Sequence, residues 1–226
     1  MNPPVLNPRH AALRLGLTGL VFATLYALCN HLTHARNDIG QGVFDWERAI
    51  PFVPWTIVPY LSIIGFFGLS FFVGRDRSAL DRHVAALMID LLISIACYAA
   101  FPLRFMFQRP ELDGLVGLLF QLLSATDLPY NRAPSLHISV LVILWVRFAP
   151  LLAGWKRWAL DGWFALIALS VLTTYQHHTI DVPAGAAVGA LCLALTSRRM
   201  QAAWARLLSK PKELAGKELH SRFVAA

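Results

Sequence analysis

The sequence has little charge for its length. Only 15% of its 226 residues are charged, whereas 57% are hydrophobic, and the mean hydropathy is +0.54. A soluble globular domain carries roughly a quarter charged residues, so this composition argues against an ordinary soluble protein. It predicts a polytopic membrane protein that consists of one membrane domain.

Cysteine is also scarce. The three cysteines, Cys29, Cys97 and Cys192, all lie within apolar runs, so we expect neither a disulfide framework nor a metal cluster. The net charge is +7, but the basic residues fall between and after the apolar runs. Because they form no groove or stripe, we expect no nucleic-acid partner.

Six apolar runs are candidates for membrane-spanning helices, which need about 20 largely apolar residues. They cover residues 15–33, 52–73, 84–102, 134–153, 158–176 and 181–197. This pattern predicts an all-α fold, a six-transmembrane-helix bundle over residues 1–197 with a basic cytoplasmic tail over 198–226. A shorter apolar stretch, Gly114 to Leu123, is predicted to lie at the membrane surface or to dip into it.

The basic residues predict the orientation of this bundle. Most of the 20 Lys and Arg residues lie at the N-terminus, in the 74–83 loop, after the fourth run and in the tail. The opposite side holds Arg36, Arg48, Arg104, Arg109 and Arg132. Since cytoplasmic loops are the positive ones, both termini are predicted to be cytoplasmic. We expect an integral protein of the plasma or inner membrane whose polar site lies on the non-cytoplasmic face.

Two histidine motifs meet at that face. The first is Pro134-Ser135-Leu136-His137, and the second runs from His177 to Asp181. His177 and Asp181 are one helical turn apart, so the carboxylate can accept a hydrogen bond from the imidazole and leave its other nitrogen basic. His137 begins another apolar helix, where it can give a proton to a leaving oxygen.

Cations and a hydroxyl lie on the same side. Arg109, with Arg104 and possible help from Arg132, offers guanidinium groups that suit phosphate. Ser135 adds a hydroxyl and a backbone N–H at a helix start. A nucleophilic imidazole, a proton donor and arginines predict phosphoryl transfer through a phosphohistidine. The histidine spacing does not match a zinc motif, so we expect neither a metal nor another cofactor.

These segments resemble a known family. Arg109-Pro110, Pro134-Ser135-Leu136-His137 and His177…Asp181 are similar to the three signature motifs of the type 2 phosphatidic acid phosphatase superfamily, over roughly residues 52–197. The resemblance implies a six-helix membrane phosphatase that needs no metal. It implies His177 as the nucleophile, Asp181 as its orienter, His137 as the acid, and Arg109 and Ser135 as phosphate ligands.

The chain departs from the family pattern at two cation positions. Pro102 stands where the first motif has lysine, and Val171 stands where the third motif has arginine; Arg104 is the nearest replacement for the first. The string His177 to Val182 is instead similar to the inositol-phosphorylceramide and sphingomyelin synthase branch. That branch implies a phosphotransferase that moves a phosphoalcohol group to a lipid hydroxyl.

Two function classes therefore remain open on the sequence. The first is a lipid phosphatase or phosphotransferase, whose partners are a lipid phosphate substrate and the surrounding membrane lipids. The second is a transporter or membrane scaffold, which would place its charges or broken helices near the midplane. The sequence leaves the lipid, the acceptor and the oligomeric state undetermined.

Overall fold

The computed structural model describes residues 7–41, 43–74 and 76–202. It is mostly helical, at 73% of its residues with almost no strand, which confirms the all-α class. The helices are α1 (Pro8–His34), α2 (Ile57–Ser70), α3 (Arg77–Ala100), α4 (Gly114–Thr126), α5 (Leu136–Phe148), α6 (Gly154–Thr173) and α7 (Asp181–Leu195). Two short strands, β1 (Gly40–Gln41) and β2 (Leu103–Arg104), pair in parallel. Most of the predicted tail, residues 203–226, lies outside the described residues.

Each of the six apolar runs corresponds to one helix, and the shorter stretch corresponds to α4. Within the described residues, two helices are long and apolar enough to cross a membrane, and these are α1 and α3. The helices α2 and α5 have 14 and 13 residues, or about 20 Å at the rise of an α-helix. Short 3-10 turns extend them, over Pro54–Thr56 before α2 and Ala149–Leu151 after α5.

Polar caps and one proline fix several helix ends. The Asp76 carboxylate accepts a hydrogen bond from the backbone N–H of Ser78 (2.8 Å) at the start of α3. The Ser135 hydroxyl accepts one from the N–H of Ile138 (3.3 Å) at the start of α5. Such caps satisfy N–H groups that the first helical turn leaves without a carbonyl. Pro150 follows α5, and because it has no N–H it cannot continue an α-helix.

The helices α5 and α7 approach each other closely through two glycines of α7. A Cβ atom on Gly185 would lie 2.4 Å from the carbonyl oxygen of Ser135, and one on Gly189 would lie 2.6 Å from that of Ser139. Backbone contact of this kind requires small residues spaced by four. The crossing matters for function because α5 begins with the Ser135–His137 motif and α7 begins at Asp181.

We expect Gly185→Ala to lower the free energy of unfolding by about 1–3 kcal/mol, because the new methyl group forces two backbones apart. Gly162→Ala in α6 is the matched control, since a Cβ atom there meets nothing within 4 Å; it should be neutral or stabilising by up to about 1 kcal/mol. Thermal unfolding of the detergent-solubilised protein measures both. Equal stability of the two variants would contradict the close crossing.

The sequence also predicts an ion pair between Asp90 and Arg147, because helical rise places them at matching depths, and this prediction is wrong. The buried Asp90 carboxylate accepts a hydrogen bond from the Ser139 hydroxyl (2.8 Å). The Arg147 guanidinium donates to the carbonyl oxygens of Ser70 (3.2 Å) and Val73 (2.6 Å), where α2 ends. Helical rise gives depth but not direction around the axis, and the two side chains face different helices.

Candidate functional site

The loop between α6 and α7 holds His177 in one orientation. Its Nδ1 atom lies 3.1 Å from the carbonyl oxygen of Arg132 and 3.3 Å from Oδ2 of Asp181. Both neighbours are acceptors when Asp181 is ionised, so Nδ1 carries the hydrogen and Nε2 carries the lone pair. The predicted contact between His177 and Asp181 is therefore present, but His177 lies in a loop and not on the helix that Asp181 begins. The contact leaves Nε2 as a nucleophile or base.

Asp181 connects this loop to both neighbouring helices. It is the first residue of α7 and is 1% exposed. Its Oδ2 atom also accepts a hydrogen bond from the backbone N–H of His178 (2.8 Å). Its carbonyl oxygen accepts one from the backbone N–H of Ser135 (3.1 Å). The carboxylate is thus fixed beside His177, while the backbone of the same residue holds the start of α5.

His178 differs from His177 because both of its ring nitrogens are engaged. Nδ1 lies 2.5 Å from Oε2 of Glu47, and Nε2 accepts a hydrogen bond from the backbone N–H of Met106 (3.3 Å). Its ring stacks on that of Phe105, with centroids 4.5 Å apart. No lone pair of His178 is therefore left to attack a substrate.

Glu47 is a residue of this site that the sequence analysis missed. It lies in a 3-10 helix, Asp45–Ala49, and is 1% exposed. Besides His178, it accepts hydrogen bonds from the backbone N–H of Thr179 (3.0 Å) and from the Thr179 hydroxyl. One buried carboxylate therefore anchors the residues that follow His177. The signal in the sequence was weak, because an acidic residue in a loop is usually solvated.

His137 lies at the start of α5 and packs against α2. Its ring stacks on Tyr60 of α2, with centroids 4.1 Å apart and planes inclined by 15°. Its Nε2 atom is buried and has no hydrogen-bond partner among the described residues. Buried polar atoms without partners are rare and call for an explanation. No hydrogen bond joins this nitrogen to His177, so the role of His137 as a proton donor stays a prediction.

Arg132 lies deeper in the site than the sequence analysis placed it. Its side chain is among the largest that are fully buried. The guanidinium donates to the carbonyl oxygens of Gln176 (2.9 Å) and Leu128 (2.7 Å) and lies 3.5 Å from Asp127. Burial lowers the pKa of Arg132, but the negative charge of Asp127, with contributions from other neighbours, offsets this and holds the pKa above its usual value. Arg132 is therefore a permanent positive charge beside the loop that holds His177.

Helix α1 holds the segment that carries Arg132. The Tyr26 hydroxyl donates to Asp127 (2.7 Å), and the Thr33 hydroxyl donates to Asn131 (2.8 Å). Asn131 has φ of 60°, a left-handed backbone that is uncommon outside glycine. The first helix therefore has a role in the site, since it fixes the acidic neighbour of Arg132 and the backbone next to it.

Arg109 lies against α4 and near Arg132. Its guanidinium donates to the Ser124 hydroxyl (3.4 Å) and sits 5.5 Å from the ring centre of Phe120. Burial lowers the pKa of Arg109, and the positive charge of Arg132 lowers it further. Two arginines that repel each other at one site are stabilised when an anion binds between them. The role of Arg109 as a phosphate ligand stays a prediction.

The other two predicted phosphate ligands have different surroundings. The Ser135 backbone N–H donates to Asp181, so it is not available to phosphate as the sequence predicted, because the α5–α7 crossing uses it. The Ser135 hydroxyl accepts the cap hydrogen bond and still has its own hydrogen to donate. Arg104 is exposed on β2 and has no hydrogen bond to another candidate residue within the described part of the chain.

Four buried side-chain nitrogens lack hydrogen-bond partners among the described residues. They are Nδ2 of Asn131, Nε of Arg132, Nε2 of His137 and Nε2 of Gln176. Arg132 and Gln176 are held together, since the guanidinium also donates to the amide oxygen of Gln176 (3.2 Å). N–H groups beside a positive charge are donors that suit the oxygens of an anion. Across the described residues, no group of three or more His, Cys, Asp or Glu is arranged to hold a metal ion.

Comparison with known proteins does not assign this chain to a family. No protein-family model, curated protein or solved structure matches this chain.

Proposed function

We propose that this protein is a membrane-embedded, metal-independent lipid phosphatase of the type 2 phosphatidic acid phosphatase kind. It cleaves a lipid phosphate ester through a phosphohistidine at His177. The hydrogen bonds of His177 carry the proposal. Both neighbours of Nδ1 accept, so Nε2 is left with its lone pair, while His178 next to it has no free nitrogen.

The reaction proceeds in two balanced steps. Nε2 of His177 attacks phosphorus, the bond from phosphorus to the leaving oxygen breaks, and His137 gives that oxygen a proton. The negative charge of Asp181 stabilises the positive imidazole that results. Water then attacks the phosphorus of the phosphohistidine and gives a proton to His137. The P–N bond breaks, its electron pair returns to Nε2 of His177, and inorganic phosphate leaves. Arg109, Arg132 and the Ser135 hydroxyl stabilise the charge on the phosphoryl oxygens.

The arrangement in the membrane is part of the proposal. In it, α1, α2, α3, α5, α6 and α7 cross the bilayer with both termini in the cytoplasm, and α4 lies at the non-cytoplasmic surface. Large exposed apolar side chains support lipid contact, such as Leu13 at 61% and Leu20 at 64% exposure. Trp155 and Trp158 are exposed beside basic residues, as at a membrane interface. The phosphate site then opens on the non-cytoplasmic side.

Purified protein with phosphatidate labelled in its phosphate tests the proposal. A lipid phosphatase releases the label as inorganic phosphate, with an activity that survives a strong chelator. The phosphotransferase alternative uses the same intermediate but passes the group to a lipid hydroxyl, so labelled phospholipid would be the product when an acceptor lipid is present. No loss of label from any lipid would contradict both forms and favour a transporter or scaffold.

The variant Arg132→Lys tests whether the guanidinium group of Arg132, and not only its positive charge, is needed to bind phosphate. Lysine keeps the positive charge but loses the planar set of donors, so we expect inhibition by orthovanadate, a mimic of the transferred phosphoryl group, to weaken about tenfold or more. Arg147→Lys is the matched control, because Arg147 also donates to two backbone carbonyls but lies at the end of α2. If both variants bind vanadate equally well, Arg132 is not a phosphate ligand.

A further inference from the structure

Glu47 lies in the segment between α1 and α2, and its carboxylate contacts the loop that holds His177. Its Oε2 atom lies 2.5 Å from Nδ1 of His178. Its Oε1 atom accepts hydrogen bonds from the backbone N–H of Thr179 (3.0 Å) and from the Thr179 hydroxyl. Because the Glu47 and His178 side chains are both buried, water competes little for these contacts, and the carboxylate fixes the two residues that follow His177.

The contacts of His178 show which of its ring nitrogens donates to Glu47. Nε2 accepts a hydrogen bond from the backbone N–H of Met106 (3.3 Å), so Nε2 has the lone pair and Nδ1 carries the hydrogen. Nδ1–H therefore donates to the carboxylate of Glu47. A hydrogen bond to an ionised acceptor is shorter and stronger than one between neutral groups, so this contact holds the imidazole of His178 firmly in place.

The backbone of His177 is held on both sides. Its own N–H donates to the carbonyl oxygen of Val171 (3.0 Å). On its other side, the backbone N–H of His178 donates to Oδ2 of Asp181 (2.8 Å), and the His178 side chain donates to Glu47. Asp181 orients the imidazole ring of His177, whereas Glu47 orients the backbone next to the residue from which that ring projects.

We propose that Glu47 is a positioning residue for His177 and acts through His178. The inference rests on the proposed function, and it names a group that the reaction needs although that group does not contact the substrate. Attack on phosphorus requires Nε2 of His177 at about 3–3.5 Å and in line with the leaving oxygen, and an error of about 1 Å in such a position costs about 10²-fold in rate. Glu47 keeps the loop within that tolerance.

The variant Glu47→Gln tests this role, because the amide has nearly the size of the carboxylate but only one acceptor oxygen. If that oxygen keeps the bonds from Thr179, the amide N–H groups face Nδ1–H of His178, and donor opposes donor. We expect kcat on phosphatidate to fall by about 10- to 10²-fold, with KM changed by about twofold or less because the lipid still binds.

Asp45→Asn is the matched control. It removes the same negative charge from the same 3-10 helix, Asp45–Ala49, but at an exposed residue. Its kcat and KM should equal those of the wild type.

Inhibition by orthovanadate separates positioning from a simple loss of folded protein. A mimic of the transition state binds more weakly when a catalytic group is displaced, to the extent that the rate falls. We therefore expect the Ki for vanadate in Glu47→Gln to rise by about the factor by which kcat falls. A variant that is only partly folded would also have a low kcat, but its folded molecules would bind vanadate as the wild type does.

The variant His178→Asn tests whether Glu47 acts through His178. Asparagine has a carbonyl oxygen that can accept from an amide at position 47, whereas the same oxygen opposes the native carboxylate. We expect the double variant Glu47→Gln/His178→Asn to have a kcat about tenfold or more above the value that the two single effects predict when multiplied.

Three results would overturn the positioning role while the proposed function stands. They are equal kcat values for Glu47→Gln and Asp45→Asn, a vanadate Ki that keeps its wild-type value while kcat falls, and independent effects of the two substitutions in the double variant. Each is measured against an active wild type. A wild type that turns over no lipid phosphate would contradict the proposed function, and this inference with it.

Discussion

Replacing His177 with asparagine is expected to reduce the turnover of lipid phosphate esters by about 10³-fold or more. Asparagine retains a polar group that can still contact Asp181, so the local fold is preserved. It has no basic nitrogen that can form a covalent bond with phosphorus, and the two-step path through a phosphohistidine is therefore closed. The measurement is the rate of label transfer from phosphatidate under substrate saturation.

His10→Asn is the control for this loss, because His10 lies in the first turn of α1 and is exposed. Its turnover should equal that of the wild type. Thermal unfolding of His177→Asn should show a folded protein. Residual turnover above about one tenth of the wild-type rate in a folded His177→Asn variant would mean that another group attacks phosphorus.

The second large effect is expected for His137→Gln. Loss of a general acid reduces the rate by about 10²–10⁴-fold when the leaving group needs a proton. A lipid alkoxide does need one, whereas a nitrophenolate leaves readily without it. The variant should therefore be strongly impaired on phosphatidate and only slightly impaired on an aryl phosphate, and the ratio of the two kcat/KM values measures this difference.

His177→Asn provides the comparison, since it should lose activity on phosphatidate and on the aryl phosphate to the same extent. Glutamine at position 137 can still stack on Tyr60, so the contact between α2 and α5 is preserved. An equal loss of kcat/KM on both substrates in His137→Gln would show that His137 does not protonate the leaving group. Its free Nε2 atom would then need another explanation.

The parts of the site that are local in sequence could be predicted. His177 and Asp181 are four residues apart and their side chains are in contact, although His177 lies in the loop before α7 and not on a helix as the sequence predicted. The close crossing of α5 and α7 could also be predicted, because Gly185 and Gly189 are spaced by four on an apolar helix. In both cases one short segment contains all the information.

The parts that depend on distant segments could not be predicted. Glu47 anchors His178 across 131 positions, and Tyr26 reaches Asp127 across 101. Nothing local marks either contact. Arg132 is a related case, because its burial follows from the chain between α4 and α5 rather than from any motif. Its guanidinium places a buried positive charge next to Gln176.

Direction around a helix was a further source of error. Asp90 and Arg147 lie at similar predicted depths, but one faces Ser139 and the other faces the end of α2. The prediction for the Ser135 backbone N–H was wrong for a related reason. A helix start normally leaves such groups free for an anion. Its contact with Asp181 depends on the crossing of two helices, which the residues near Ser135 do not reveal.

Mapping the covalent intermediate tests the central claim most directly. Phosphatidate labelled in its phosphate is mixed with enzyme, quenched within the first turnover, and the protein is digested for mass spectrometry. We expect a burst of one diacylglycerol per chain and an acid-labile, base-stable phosphoryl group on the peptide that contains His177, absent from His177→Asn. Label on another residue, or full turnover with no labelled protein at any time, would contradict catalysis through phosphorylated His177.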